Sequence, residues 1–228
     1  FFKQKTAYEI GVRLVGSEMC IRDSIIPSLL KARHQAAATR CLDNCRALGE
    51  AFIQYSQDNN GQLVPFSQPR PGEADKDKSS ELLWTELLGT YADEHKPWQC
   101  PECREGTHSG LAYNRLLANR GITMSQVLKP SQTVVFGDAG PVSNPTEKNP
   151  DLWREISGNV LEESVLARFA VPGAPSWQPV KQSPVRMLNR HRGRASAIFA
   201  DGRAIRLPVS QVGFHHEAGD VRALWDNQ

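Results

Sequence analysis

One stripe constrains this chain more than any other feature. Leu30, Ala37, Cys41, Cys45, Leu48, Phe52 and Tyr55 recur at steps of mostly three or four residues, which is the spacing of one face of an α-helix. Lys31, Arg33, Arg40, Asp43, Arg46 and Glu50 lie largely off that face. Asn59-Asn60-Gly61 then supplies residues that tolerate the left-handed conformation at which helices end. The spacing predicts a long amphipathic helix over 25–61. Its start is abrupt, because Ile25, Ile26, Leu29 and Leu30 form an apolar cluster directly after residue 24.

The stretch before that cluster reads differently. A secretory signal needs an apolar run of about 7–15 residues after its basic start. Here Lys3, Lys5, Glu9, Arg13, Glu18, Arg22 and Asp23 interrupt every such run. No stretch reaches the roughly 18 apolar residues that would cross a bilayer. A short helix around Tyr8–Val15 is weakened by Gly11 and Gly16, each costing about 1 kcal/mol relative to Ala. The 228 residues are enough for one large or two small domains with a real core. A net charge of +2 points to no strongly acidic or basic partner. A mean hydropathy of −0.46 describes a soluble globular chain as written.

Further along, residues 62–80 read as an extended piece and a solvated loop. "SELLWTELLGTY" reads as a shorter helix, capped by Ser79 or Ser80, with Leu83, Leu87 and Tyr91 on one face. "SQTVVFGDAG" has the β-branched core of a strand. Residues 141–185 hold seven of the 15 prolines, which predicts an irregular excursion broken by one short helix near "LEESVLARFA". In "RASAIFADGRAIRLP", two strand-like runs flank Asp201-Gly202, the dipeptide favoured in two-residue type I′ hairpin turns.

Five cysteines occupy positions 20, 41, 45, 100 and 103. Setting Cys20 aside with its segment leaves two close pairs, which suit three readings. Cys41 and Cys45, one helical turn apart, could each be crosslinked to Cys100 or Cys103; the four thiolates could hold a structural zinc ion; or the helix pair could be plain buried apolar residues. His191 precedes Asp201 by ten residues, roughly 33 Å of straight strand, which separates them as an acid–base pair. Arg186, Arg190, Arg192, Arg194, Arg203 and Arg206 cluster around the hairpin and lack the interleaved aromatics of a single-strand binder. They read as a solvated or partner-pairing face, and no nucleic-acid partner is expected. Asp58-Asn59-Asn60-Gly61 lacks the alternating oxygens of a calcium loop. Asp138 and His215-His216 have no partner that the sequence supplies. Without a Gly-rich phosphate loop, HExxH or GxSxG, the chain is expected to be neither an enzyme nor a cofactor carrier.

The segment from Ile25 to Pro65 resembles the region after the membrane anchor in bacterial prepilin-type proteins related to the type II secretion pseudopilins. Pro27, Leu30, Lys31, Ala32, Arg33, Cys41, Asn44, Leu48, Gly49, Tyr55, Asp58, Asn59 and Gly61 match the family's pattern, whereas Cys45 stands where it commonly has Leu. His191, nine residues, then Asp201-Gly202 matches the H-X9-DG motif of the prepilin-processing-associated domain, within a frame like RHxGxAxxxFADGR. Cys100-Pro101, Tyr113-Asn114 and "KPSQTVVFGDAG" resemble the family's CP, YN and PSxTxxxxDxG stretches. In the expected order, these motifs cover most of residues 25–210. Residues 1–24 instead resemble a translated sequencing-library adapter of the kind fused to metagenomic fragments, which implies that they, Cys20 included, are foreign to the fold.

The resemblance implies an α+β, pilin-like domain over 25–228. A long N-terminal helix (25–61, truncated at its membrane-anchor end) would pack on an antiparallel β-sheet within a globular part (62–228) with long irregular loops and the H-X9-DG hairpin near 190–208. It implies a non-catalytic structural subunit of a pseudopilus or type IV pilin-like envelope assembly. Its partners would be other pilin-like subunits, the secretion or pilus machinery and, on the precursor, a prepilin peptidase. The missing helix would anchor it in the inner membrane with the globular domain outside the cytoplasm, while the fragment as written would be soluble. An exported domain meets an oxidising compartment, which favours disulfides among Cys41, Cys45, Cys100 and Cys103 over zinc. Two alternatives remain. One is an exported, pilin-anchored module for a polysaccharide or other polymer, which exposed Trp84, Trp98, Trp153 or Trp177 would favour. The other is a cytosolic zinc module built on the four cysteines.

Overall fold

Helix α1 runs Ala7–Asp58 in a computed structural model. The structure describes residues 7–70, 81–92, 96–103, 110–119, 121–156, 168–172 and 184–226, with the backbone alone for 7–24. The helix therefore extends further toward the N-terminus than its apolar spacing predicts. Gly11 and Gly16 do not interrupt it, because extending a helix already nucleated is far cheaper than starting one. At its other end Asn60 (φ 54°) and Gly61 (φ 78°) take the left-handed conformation. The Gly61 N–H donates to the Ser56 carbonyl at 2.8 Å, the six-to-one bond of a Schellman terminator.

The chain divides into two compact units, residues 1–37 and 38–228. In the first, Ile25, Ile26, Leu29 and Leu30 stand exposed along the helix. In the second, α1 buries Ala38, Cys41, Cys45, Leu48, Phe52 and Tyr55. The buried face thus begins at Ala38 rather than Leu30, and Ala37 is only half-buried. Among the described residues, no helix is long and apolar enough to cross a membrane.

A two-stranded ribbon pairs β1 (Ser67–Pro69) with β2 (Glu81–Leu83), and α2 (Trp84–Gly89) follows directly. The helix expected from Ser80 therefore starts at Trp84, since 81–83 are taken up by the ribbon. Ser79 and Ser80 lie outside the described residues. Leu83 is the N-cap, and its backbone N–H donates to the Glu86 carboxylate at 3.0 Å.

The main sheet contains β3 (Leu111–Asn114), β4 (Val134–Pro141), β5 (Arg168–Phe169), β6 (Val185–Met187), β7 (Ala195–Phe199) and β8 (Ala204–Leu207). Its order is β5-β3-β4-β7-β8, with β6 also paired to β4. All pairs are antiparallel except β3–β5. The mixed α+β architecture matches expectation, but the sheet is mixed rather than wholly antiparallel. Most of the helix expected near 161–170 lies outside the described residues, and Arg168-Phe169 is strand β5.

Alternation along the strands splits the core in two. On the helix side, Leu111, Tyr113, Val135, Phe136 and Ile198 pack with Cys41, Cys45, Leu48, Phe52 and Trp84. On the far side, Ala112, Val134, Ala195, Ala197 and Phe199 pack with Trp153, Phe169, Phe214 and Trp225. Tyr113 and Asn114 pin this arrangement. The buried Tyr113 hydroxyl donates to Val64 O (2.9 Å), and the Asn114 amide reaches Val134 O and Trp225 O (2.8 and 2.7 Å).

Candidate metal centre

Strand β4 changes partner halfway along. Phe136 and Gly137 pair with Ile198 and Ala197 of β7, whereas Ala139–Pro141 pair with β6. The two partners occupy the same edge of β4, so the chain between Met187 and Ala195 loops out opposite the residue at the switch, Asp138. Leu188 N–H still donates to Asp138 O at 2.8 Å. Period-two alternation puts the Asp138 side chain on the face of Phe136, toward α1, and that of Ser196 on the face of Ile198. The Ser196 N–H donates to Asp138 Oδ2 at 2.6 Å, so the carboxylate replaces a ladder bond lost at the switch.

The looped chain brings His191 to the same place. Arg192 (φ 54°) and Gly193 (φ 74°) both have positive φ, and His191 and Arg194 exchange backbone hydrogen bonds at 2.9 and 3.2 Å. That is a two-residue turn of the I′ kind. The turn expected at Asp201-Gly202 has another form. Only Gly202 is at positive φ (85°), and its N–H donates to Phe199 O at 2.9 Å. This makes a three-residue loop with a glycine bulge, because Asp201 does not adopt the left-handed conformation that type I′ requires.

Four side chains converge helix-side of the sheet. Cys41 Sγ lies 3.6 Å from Asp138 Oδ1, and Cys100 Sγ 3.4 Å from His191 Nε2. His191 Nε2 lies 3.5 Å from Asp138 Oδ2. One ligand-capable atom from each of Cys41, Cys100, Asp138 and His191 falls within 4.8 Å of every other, and all four residues are buried. Cys41 comes from α1, Cys100 from the loop before β3, Asp138 from β4 and His191 from the chain between β6 and β7. Ser196 Oγ donates to Cys41 Sγ at 3.5 Å. On the outer side of the imidazole, Nδ1 stands 3.3 Å from Glu102 Oε2. That contact is an ion-pair distance without hydrogen-bond geometry, and among the described residues the buried Nδ1 has no hydrogen-bond partner.

Arg190 encloses the centre. Its guanidinium pairs with Glu155 through two hydrogen bonds, donates to Gly110 O and Ala139 O, and stands 3.9 Å from Asp138 Oδ1. Burial works against the charge of Arg190, but the Glu155 hydrogen bonds and the nearby negative groups outweigh it and raise its pKa. The thiols go the other way. A hydrogen bond with Cys100 favours the Cys41 thiolate, yet contact with Cys45, burial and the Asp138 charge together push that thiol up. Cys100 is raised similarly: its bond with Cys103 lowers it, while Cys41, burial and Asp138 dominate. Both shifts favour the protonated thiol.

All four cysteines of the two pairs are free. Cys41 neighbours both Cys45 and Cys100, and Cys103 neighbours Cys100, so the pairs form a continuous run of sulfurs with Cys45 and Cys103 at its ends. Of the motif residues, His191 belongs to the centre. Asp201 does not, and its Oδ1 accepts the Arg203 N–H at 3.0 Å. Gly202 lies against α1, where a Cβ on Gly49 would strike its carbonyl oxygen.

The arginines are not one solvated face. Arg186 is buried, with its guanidinium 4.6 Å above the Trp153 ring, and Arg190 is half-buried with its side chain turned inward. The carboxylates that oppose Arg190, from Asp138 and Glu155, are remote in sequence and were invisible to local charge counting. His215 and His216 pack on each other, with ring centroids 4.0 Å apart. Trp84 and Trp153 are buried and Trp98 is half-buried; Trp177 lies outside the described residues. Asp138 and Arg190 are the site residues that sequence reasoning missed. A lone carboxylate within an otherwise apolar strand was the available signal for Asp138.

Comparison with protein families, with curated proteins and with solved structures found no match for this chain.

Proposed function

We propose that this chain is the head and helix of a non-catalytic, pilin-type structural subunit of a pseudopilus or type IV pilin-like envelope assembly. One observation carries the reading. The motif positions behind the resemblance are far apart in sequence, yet Cys41, Cys100, Asp138 and His191 meet at a single buried point. Gly49 and Gly202, from the helix motif and the H-X9-DG motif, meet backbone to backbone nearby. Motifs that recur together for a structural reason should converge in this way, fixing a helix to its head. The exposed Ile25, Ile26, Leu29 and Leu30 suit the end of an apolar segment that continues into a membrane or a bundle of like helices. Burial of Trp84 and Trp153 removes two of the aromatics that a polymer-binding groove would present.

The test is the genomic sequence across the Ser24–Ile25 junction, followed by fractionation of cells expressing the intact gene. The proposal expects a leader, a Gly-Phe-Thr-(Leu/Ile)-Glu site and about 20 apolar residues running into Ile25, with the product in the envelope. A genomic "FFKQKTAYEI" with the product in the cytoplasm would overturn it.

A further inference from the structure

We infer that Cys41, Cys100, Asp138 and His191 form a closed, structural site for one Zn²⁺ ion. The inference holds whether or not the chain is an envelope subunit. Zinc bound by thiolate, imidazole and carboxylate has bonds of about 2.0–2.3 Å, and a tetrahedron of that size has edges of about 3.5 Å. Cys100 Sγ and His191 Nε2 are 3.4 Å apart, Cys41 Sγ is 3.6 Å from Asp138 Oδ1 and His191 Nε2 is 3.5 Å from Asp138 Oδ2, and one donor atom from each of the four residues lies within 4.8 Å of every other. Each contact joins residues from different elements, so no local turn geometry imposes the match. Two soft sulfurs with one imidazole and one carboxylate suit zinc better than calcium or magnesium, which prefer all-oxygen shells. Four protein donors, all buried, leave no open position for a reacting water, so the ion is structural.

The surroundings fit the same ion. A metal-bound histidine is commonly oriented by a carboxylate on its other ring nitrogen, and Glu102 stands 3.3 Å from His191 Nδ1. Ser196 holds both the Asp138 carboxylate, through its N–H, and the Cys41 sulfur, through its hydroxyl. Binding releases the two thiol protons. Two thiolates and one carboxylate around Zn²⁺ then leave one net negative charge, beside which the structure sets the Arg190 guanidinium. A Cys41–Cys100 disulfide would use only the two sulfurs and give Asp138 and His191 no task. A four-cysteine site would need Cys45 and Cys103, which fall outside the converging set.

The test is metal content and thiol content of the 228-residue chain, purified with a reductant and without chelator. About one zinc per chain is expected, with all five cysteines titrating as thiols once the protein is denatured with chelator. Cys45→Ala and Cys103→Ser keep the metal. Cys100→Ser and His191→Gln lose it, and Glu102→Gln weakens binding about 10–100-fold. Cobalt(II) in place of zinc gives sulfur-to-metal charge transfer in the folded protein, and Cys45→Ala leaves that band unchanged. Wild type without zinc, or with a Cys41–Cys100 disulfide, would overturn the site. So would loss of zinc from Cys45→Ala and Cys103→Ser to the same extent as from Cys100→Ser. Wild-type metal content decides the matter even if a ligand variant fails to fold.

Discussion

The two ends of the H-X9-DG motif sit on the same side of one sheet and do opposite things. At the His191 end, a left-handed turn and a strand switch gather thiols, a carboxylate, an imidazole and a guanidinium into a buried polar centre. At the Gly202 end there is almost no side chain at all. The loop carbonyl faces Gly49 of the helix so closely that Gly49 has no room for a Cβ, while a Cβ on Gly202 would press on the Ile53 side chain. Nine intervening residues, most of them β7, hold the two ends in register with α1. Spacing in such a motif therefore measures the length of a strand that must touch a helix at two points, one chemical and one steric.

Removing Arg190 should have the largest effect on that contrast. Arg190→Ala takes away the partner of Glu155 and the cation beside Asp138, and removes a side-chain donor from the Gly110 and Ala139 carbonyls. Glu155 is partly exposed, so solvent screens that pair, and the cost comes mainly from leaving buried acceptors without this donor, about 1–3 kcal/mol for each group, measurable by denaturant unfolding. Gly49→Ala comes next. On an exposed helix surface this change would stabilise by about 1 kcal/mol. Here the new Cβ meets the Gly202 carbonyl, and overpacking of this kind should cost about 3 kcal/mol. A stabilised Gly49→Ala would remove the steric half of the comparison. Gly202→Ala should cost less, about 1–2 kcal/mol, from a left-handed φ of 85° and a contact with Ile53 at 2.9 Å.

The smallest effect is a pH slope at the base of the His191 loop. Asp151 Oδ1 accepts hydrogen bonds from the Asn189 amide (2.8 Å) and the Ser210 N–H (2.9 Å). Burial pushes Asp151 up, but hydrogen bonds from Ser210, Asn189 and Val209 hold it, on balance, below the usual carboxylate range. A lowered native pKa means the unfolded chain binds the proton more readily. The stabilisation is present above about pH 4, the ordinary aspartate value, and is lost as pH falls through the native pKa. Stability of Asp151→Asn, followed from pH 6 to 2, should lack that part of the acid slope; an unchanged slope would remove Asp151 as its source.

Local chemistry made some of this legible in the sequence and left the rest hidden. The burial of Cys41, Cys45, Leu48, Phe52 and Tyr55 follows from helical periodicity, and the helix end follows from Asn60 and Gly61, so both could be read directly. Strand β4 announces itself by its β-branched start, and β7 and β8 by strand-like runs flanking Asp201-Gly202. The partner switch at Asp138 leaves no local trace, because it depends on where β6 and β7 dock along β4. Arg192-Gly193 gives little turn signal, since arginine has no preference for positive φ, whereas Asp201-Gly202 gives a strong one and the loop closes differently. The centre itself needs residues 41, 100, 138 and 191 together. The close pairs Cys41 with Cys45 and Cys100 with Cys103 show in the sequence, but that one member of each, Cys41 and Cys100, joins Asp138 and His191 does not.

Zinc K-edge X-ray absorption on the purified chain tests the central claim most directly, that the joint between helix and sheet is a mixed-ligand metal centre. The account predicts two sulfurs at about 2.3 Å and two nitrogen or oxygen atoms at about 2.0–2.2 Å. A shell of four sulfurs, or one with no sulfur, would contradict it.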